Sequence, residues 1–222
     1  MQFRHRVSML DVTSGAVTGV SGDILQDTDA PRGESTSREV TGSFHHEAEA
    51  VILTTGGIGA DHDLVRKHWP VDRLGHPPRR MISGVPDYVD GKMHAIAAQA
   101  GAGLINQDRM WHYCEGVKNW NPIWPNHGIR ILPGPSSVWL DAKGDRMEPP
   151  CMPGFDTLTT LKRILQAGEH SWFILTQKII EKEFALSGSE QNPDLTDGGW
   201  REVLAARLGK GATAAVEMFK NK

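Results

Sequence analysis

The feature that most constrains this chain is a short apolar run, Ala50-Val51-Ile52-Leu53-Thr54, ending in Gly56-Gly57-Ile58-Gly59. A run of that length before a glycine cluster reads as a fully buried strand entering a tight backbone turn. It follows three β-rich segments. Residues 3–12 and 16–25 are strands separated by Thr13-Ser14-Gly15, a turn of hairpin length. Residues 39–46 form a third strand, after a polar stretch at 26–37 that reads as a surface loop. A meander that feeds a buried strand and a Gly-rich turn belongs to the interior of a nucleotide-binding domain rather than to its beginning. Domains of Rossmann type begin with a strand, a GxGxxG turn and a helix, because glycines there let helix N-terminal amides reach a pyrophosphate. No GxGxxG occurs in this sequence. A Gly-rich turn after a strand is, by itself, most often a simple chain reversal.

Downstream the texture changes. Asp61 or Asp63 caps a short helix over 64–69, which Pro70 stops. Asp90 opens a helix with Met93, Ile96, Ala97 and Ala100 on one apolar face, closed by Gly101 and Gly103. A stretch dense in Trp, Pro and Gly then runs from about residue 105 to 155, with a strand expected at 137–141. Helices are expected at 158–166, 177–186, 199–208 and 212–221, and His76-Pro77-Pro78-Arg79-Arg80 marks a domain junction. The fold class is α+β: a β-meander and return strand, followed by a mixed α/β part.

Composition narrows the partners. Twenty-four basic against 27 acidic side chains leave a net charge of −3, which gives no electrostatic reason to expect nucleic acid or an acidic membrane. With 39% hydrophobic and 23% charged residues among 222, the chain reads as an ordinary globular protein. Its two cysteines, Cys114 and Cys151, form no CxxC motif and suit a reducing cytoplasm. The first ten residues lack the apolar core of a signal peptide, and no run is long enough to span a membrane. The expectation is a cytoplasmic protein.

The segment from Ala50 to Gly59 resembles the "ATGG" stretch of flavoproteins of the fumarate reductase and succinate dehydrogenase superfamily, where the chain returns past FAD. Asp90-Gly91-Lys92-Met93-His94-Ala95-Ile96-Ala97-Ala98-Gln99-Ala100-Gly101-Ala102 is similar to that superfamily's "GDG…A…GA" helix. Asp108-Arg109-Met110-Trp111-His112-Tyr113, Trp124-Pro125-Asn126-His127-Gly128-Ile129-Arg130, Leu132-Pro133-Gly134-Pro135-Ser136-Ser137 and the stretch from Leu186 to Leu195 resemble bacterial FAD-binding dehydrogenases related to 3-ketosteroid dehydrogenases. The resemblance covers about residues 1–200. It implies flavin-mediated oxidoreduction at a carbon–carbon bond beside a carbonyl or carboxylate, on a steroid-like or dicarboxylate-like small molecule. Members of the family are longer, and begin with the GxGxxG unit that holds the ADP half of FAD. This chain is therefore expected to be an internal fragment: residues 1–75 a partial FAD-binding domain, and 76–222 a substrate-capping domain truncated at its C-terminus. The main cofactor site is missing, so FAD belongs to the parent family and its retention by this chain is not expected.

The resemblance also implies site residues. Thr54, Thr55, Gly56 and Gly57 would lie along FAD. Tyr113 stands where fumarate reductases keep a catalytic His, with His112 beside it, and a one-residue slip exchanges the two. His127 and Arg130, in the loop next to Trp124, would meet substrate or flavin. Each has a plainer reading beside it: aromatic packing for the first pair, a Pro- and Trp-braced surface loop for the second. Arg146 resembles the Arg of a "GKRFxNE" turn, but Glu148 is out of register with that motif's acid, which favours a structural role.

Other chemistries fail on spacing. His62 and His68 are six apart rather than at the i, i+4 of a helical zinc motif, and His45-His46 on a strand point to opposite faces. No metal site is expected. Gly134-Pro135-Ser136-Ser137 is not a nucleophile elbow, and Cys114 reads as a small buried hydrophobe. Two functional readings remain: a dehydrogenase section needing a missing segment, or a catalytically silent module that forms homo-oligomers through exposed apolar surface.

Overall fold

A computed structural model of the chain describes residues 1–30 and 34–187. In chain order the elements are β1 (His5–Thr13), β2 (Ala16–Leu25), β3 (Val40–Glu47), α1 (His62–Lys67), α2 (Val71–Leu74), α3 (Lys92–Gln99), β4 (Gly116–Lys118), β5 (Gly128–Leu132), β6 (Val138–Asp141), α4 (Thr157–Ala167), β7 (Ser171–Ile174), α5 (Gln177–Lys182) and β8 (Ala185–Ser187). Small antiparallel sheets mixed with short helices make this an α+β chain. It divides into two compact units, one of Met1–His68, Val85–Asp108 and Ile123–Pro125, the other of Trp69–Gly84, Arg109–Pro122 and Asn126–Lys222.

The first unit is organised by the expected meander, with β1, β2 and β3 paired in that order and antiparallel. Thr13 pairs with Ala16, leaving a two-residue loop whose Ser14 (φ 52°) and Gly15 (φ 82°) both take the left-handed conformation. That is the turn whose twist matches the flanking strands. Asp61 caps α1 by accepting the N–H groups of Asp63 and Leu64, so the helix starts and ends earlier than the expected 64–69. Helix α3 lies against β1 and buries Ala97. It starts from Gly91 in the left-handed region (φ 76°), where a Cβ would come within 2.8 Å of both Ile58 and Leu64 side chains. Only glycine fits there.

Residues 50–54 do not form the expected buried strand. They pair with no strand among the described residues, and Ile52 and Leu53 are 87% and 40% exposed. A strand exists only through its partners' hydrogen bonds, so apolarity alone does not bury this segment.

The second unit carries two linked cores. Ile129 and Ile131 of β5 pack with Ile180 and Phe184, while Trp139, Met147, Cys151 and Ile164 form a second cluster, and Phe173 of β7 touches both. β5 lies between β4 and β8, and β6 pairs with β7. Helix α4 matches the expected 158–166 closely, capped by Asp156 on Thr159 N–H. The helix expected over 177–186 stops at Lys182, because the chain beyond it pairs with β5 as β8. Strands β4, β5 and β7 were not legible in the Trp- and Pro-rich stretch and beyond it. The helices expected at 199–208 and 212–221 lie outside the described residues. Among the described residues, no helix is long and apolar enough to cross a membrane.

Candidate functional site

The second unit holds all four residues proposed for chemistry, and it sorts them into separate settings. β5 alternates: Ile129 and Ile131 face the core at 2% and 6% exposure, so Arg130 between them projects from the opposite face. There its guanidinium carbon lies 4.3 Å from the centre of the Tyr113 ring, a cation–π contact. Trp111 extends the same aromatic group, its ring 6.2 Å from that of Tyr113. His112 goes elsewhere and packs on Trp69, with ring centres 5.1 Å apart. Burial holds its imidazole below the ordinary value of 6.5, so it stands neutral near pH 7. Of the two neighbours, it is Tyr113 that meets Arg130.

His127 is buried at 4% exposure and bound to another buried side chain, Asn119, whose amide nitrogen is 3.1 Å from Nδ1. Asn119 N–H also donates to the His127 carbonyl at 2.9 Å, and its side-chain oxygen accepts from Asn121 N–H. These bonds brace the 119–127 loop through a buried His–Asn contact.

A residue absent from the sequence reading completes the Arg130 setting. Glu115 is buried, its side chain 3% exposed, and its Oε2 accepts from Arg130 Nε at 3.4 Å. Its Oε1 accepts the Gly154 N–H, and its backbone carbonyl accepts Ile131 N–H at 3.0 Å. One signal could have found it: Glu115 is the only acidic residue between Asp108 and Asp141, inside the aromatic-rich stretch. An acid isolated in such a segment needs a cation, and Arg130 is there.

The remaining polar candidates are quieter. Arg146 is exposed. His45 meets Ser21 and Asp11, while His46 meets Gln2 and the Phe44 ring, on opposite faces of β3 as its pleat requires. Cys114 donates to the Thr157 carbonyl at 3.1 Å, and burial, then the neighbouring Glu115, pushes its thiol up to about 12.

In the first unit, Thr54, Thr55, Gly56 and Gly57 are exposed; Gly56 has φ 81°, and a Cβ on Gly57 would meet nothing within 4 Å. That open backbone edge has room for a flat group. FAD also carries a pyrophosphate, and here the fit fails. At the starts of α1, α4 and α5, N–H groups of Asp63 and Leu64, of Thr159, and of Ile179 are taken by Asp61, Asp156 and Thr176, and Lys92 N–H at the start of α3 by Asp90. Three of those four acceptors are carboxylates, which repel phosphate. The described residues therefore do not build a site for the whole dinucleotide. No group of three metal-ligating side chains occurs among them.

Comparison with known proteins agrees with the motifs. A family model described as FAD binding domain matches residues 1–219. A KsdD-like steroid dehydrogenase of Mycolicibacterium smegmatis is 58% identical over 217 residues, covering 97% of this chain and 39% of that protein. A KsdD-like steroid dehydrogenase of Mycobacterium tuberculosis is 55% identical over 217 residues, covering 97% of this chain and 38% of its own length. The chain thus spans about two fifths of the length of these relatives. No solved structure matches it.

Proposed function

This chain belongs to the FAD binding domain family of the fumarate reductase and succinate dehydrogenase flavoproteins, and from that membership we propose that it is a section of an FAD-dependent dehydrogenase. The reaction is oxidoreduction at a carbon–carbon bond beside a carbonyl or carboxylate of a small molecule. In this reading residues 1–75 belong to the FAD-binding part and 76–222 to the part that caps the substrate. Thr54, Thr55, Gly56 and Gly57 lie along the cofactor when the rest of its site is present.

One observation carries the chemistry: the Arg130 guanidinium lies 4.3 Å over the Tyr113 ring. Arg130 binds the substrate's oxygen through its outer nitrogens, and the Tyr113 hydroxyl holds the proton to be exchanged. Redox chemistry in such enzymes is the flavin's own. The relatives, described as steroid dehydrogenases, favour a steroid among the two substrate classes.

The test is a titration of the chain with androst-4-ene-3,17-dione and with fumarate, followed by tryptophan fluorescence. Saturable binding of at least one, weakened tenfold or more by Arg130→Ala, is the expected result. Absence of any saturable response to either overturns the reading. Desalting after mixing with FAD is expected to leave the protein colourless near roughly 450 nm, where oxidised flavins absorb.

A second reading, a silent module that self-associates, draws on Ile52, Trp111 and Ile105, exposed at 87%, 85% and 82%. Sedimentation at micromolar concentration separates them: a clean monomer removes the second.

A further inference from the structure

We infer that Glu115 is a positioning and specificity residue, which aims Arg130 and cancels its charge so that the pair accepts a neutral carbonyl in preference to a carboxylate. The inference rests on the reading of Arg130 and Tyr113 as the ligand-facing pair. An arginine alone favours carboxylates, because its planar fork matches their two oxygens and its charge complements theirs. Arg130 is not alone. Its Nε is spent on a carboxylate that is 97% removed from solvent, as the side chain is only 3% exposed. Glu115 in turn is fixed by the Gly154 N–H on its other oxygen, so the clamp has a rigid base.

Two consequences follow from that geometry. First, with Nε held by Glu115 and the guanidinium carbon 4.3 Å from the Tyr113 ring centre, the outer nitrogens are restricted in where they can reach; among the described residues neither donates a hydrogen bond. Second, the Glu115–Arg130 pair is net neutral. A ketone oxygen gains the outer N–H bonds without penalty. A carboxylate placed there gains the same bonds, but Glu115 has already neutralised the charge that would draw it in, and the two carboxylates repel each other. The exposed Trp111 and Tyr113 rings beside the guanidinium offer apolar contact, which suits a neutral hydrophobic ketone further.

The test compares the two probes on the wild-type chain and on Glu115→Gln, which preserves shape and removes the charge. Wild type is expected to bind androst-4-ene-3,17-dione at least tenfold tighter than fumarate. Glu115→Gln is expected to narrow that ratio tenfold or more, chiefly by a gain for fumarate that grows as salt is lowered. A merely structural Glu115 would lower both affinities together and leave the ratio alone. A ratio unchanged within twofold in folded Glu115→Gln overturns the inference, while Arg130→Ala still weakening ketone binding leaves the functional reading intact. If Glu115→Gln fails to fold, the wild-type salt series decides: fumarate binding as tightly as the ketone at low salt overturns the inference. Wild type binding neither probe overturns both.

Discussion

Removing Arg130 should damage this protein more than removing Glu115, although the two are partners. The reason is their unequal burial: the side chains are 23% and 3% exposed respectively. Arg130→Ala strands a carboxylate away from water, keeping only the Gly154 N–H, and breaking a buried pair this way costs about 3–5 kcal/mol. It also discards the contact with Tyr113. Glu115→Ala leaves a guanidinium that is already a quarter exposed and whose long stem lets it swing to solvent. The loss there is that of a charge-assisted bond, about 1.5–3 kcal/mol. In the double alanine variant no charge is stranded, so its cost falls short of the sum, by about 2 kcal/mol or more. At about 2–4 °C per kcal/mol for a chain of this size, Arg130→Ala corresponds to a fall in Tm of about 6–20 °C. Urea unfolding followed by tryptophan fluorescence reads this directly, since Trp69, Trp111, Trp120, Trp139 and Trp172 all lie in the unit concerned. Arg130→Ala costing less than Glu115→Ala, or a cycle additive within about 0.5 kcal/mol, would refute the reasoning.

Four further outcomes are expected. His112 is held neutral by burial below its ordinary 6.5, so the unfolded chain takes up a proton first as pH falls; Tm should drop between pH 7 and 5, and His112→Phe should flatten that slope. Burial opposes ionisation of Asp141, yet the N–H groups of Lys143 and Asp145 and then the Arg163 guanidinium hold its carboxyl below the usual 3.8. Its contribution is therefore present above that value and lost as pH falls below it; Asp141→Asn should lower Tm at pH 7, with the difference closing below about pH 4. Gly91→Ala forces a Cβ against Ile58 and Leu64 at 2.8 Å and should cost about 1–3 kcal/mol in urea unfolding, more than Gly101→Ala, where nothing stands within 4 Å. Cys114, pushed up to about 12, should resist iodoacetamide at pH 8 until the protein is unfolded.

What the sequence made legible follows from how local each signal is. The β1–β2 hairpin was readable because two alternating runs flank Ser14-Gly15, and that turn closes the pair without help from elsewhere. Helix α4, expected over 158–166, is likewise local, its own Asp156 capping it from the preceding residue. Residues 50–54 were misread because an apolar run specifies burial only if other strands accept its hydrogen bonds. The helix over 177–186 was misread for the converse reason: β5 supplied a partner, and pairing as β8 overrode helical continuation. β5 itself was hidden by the prolines and tryptophans around it. The residues that carried the family resemblance pointed to Tyr113 and Arg130, which the fold brings into contact, and to His112 and His127, which it sends to Trp69 and Asn119. Glu115 is marked in the sequence only by its isolation from other acids, because its meaning is a contact from the residue before β4 to β5, and no motif spacing encodes that.

In the proposed reading, the Glu115–Arg130 pair is also the point at which stability and chemistry part. Packing in this unit comes from Ile129, Ile131, Ile180 and Phe184 on one side of β5, and it needs no charge on the other. Replacing a buried ion pair by well-packed apolar groups is often neutral or stabilising by about 1–4 kcal/mol. A fold under selection for stability alone would have little reason to bury a carboxylate here, where the Gly154 N–H is its remaining polar partner outside Arg130 and its own backbone. What the buried acid does provide is a fixed end: it holds Nε while the guanidinium carbon lies 4.3 Å from the Tyr113 ring centre. The strand supplies the rigid base by burying Ile129 and Ile131 on either side of Arg130. A double alanine variant that is folded and less destabilised than the sum of its parts, yet no longer binds ketone, is the behaviour of a pair kept for positioning a ligand.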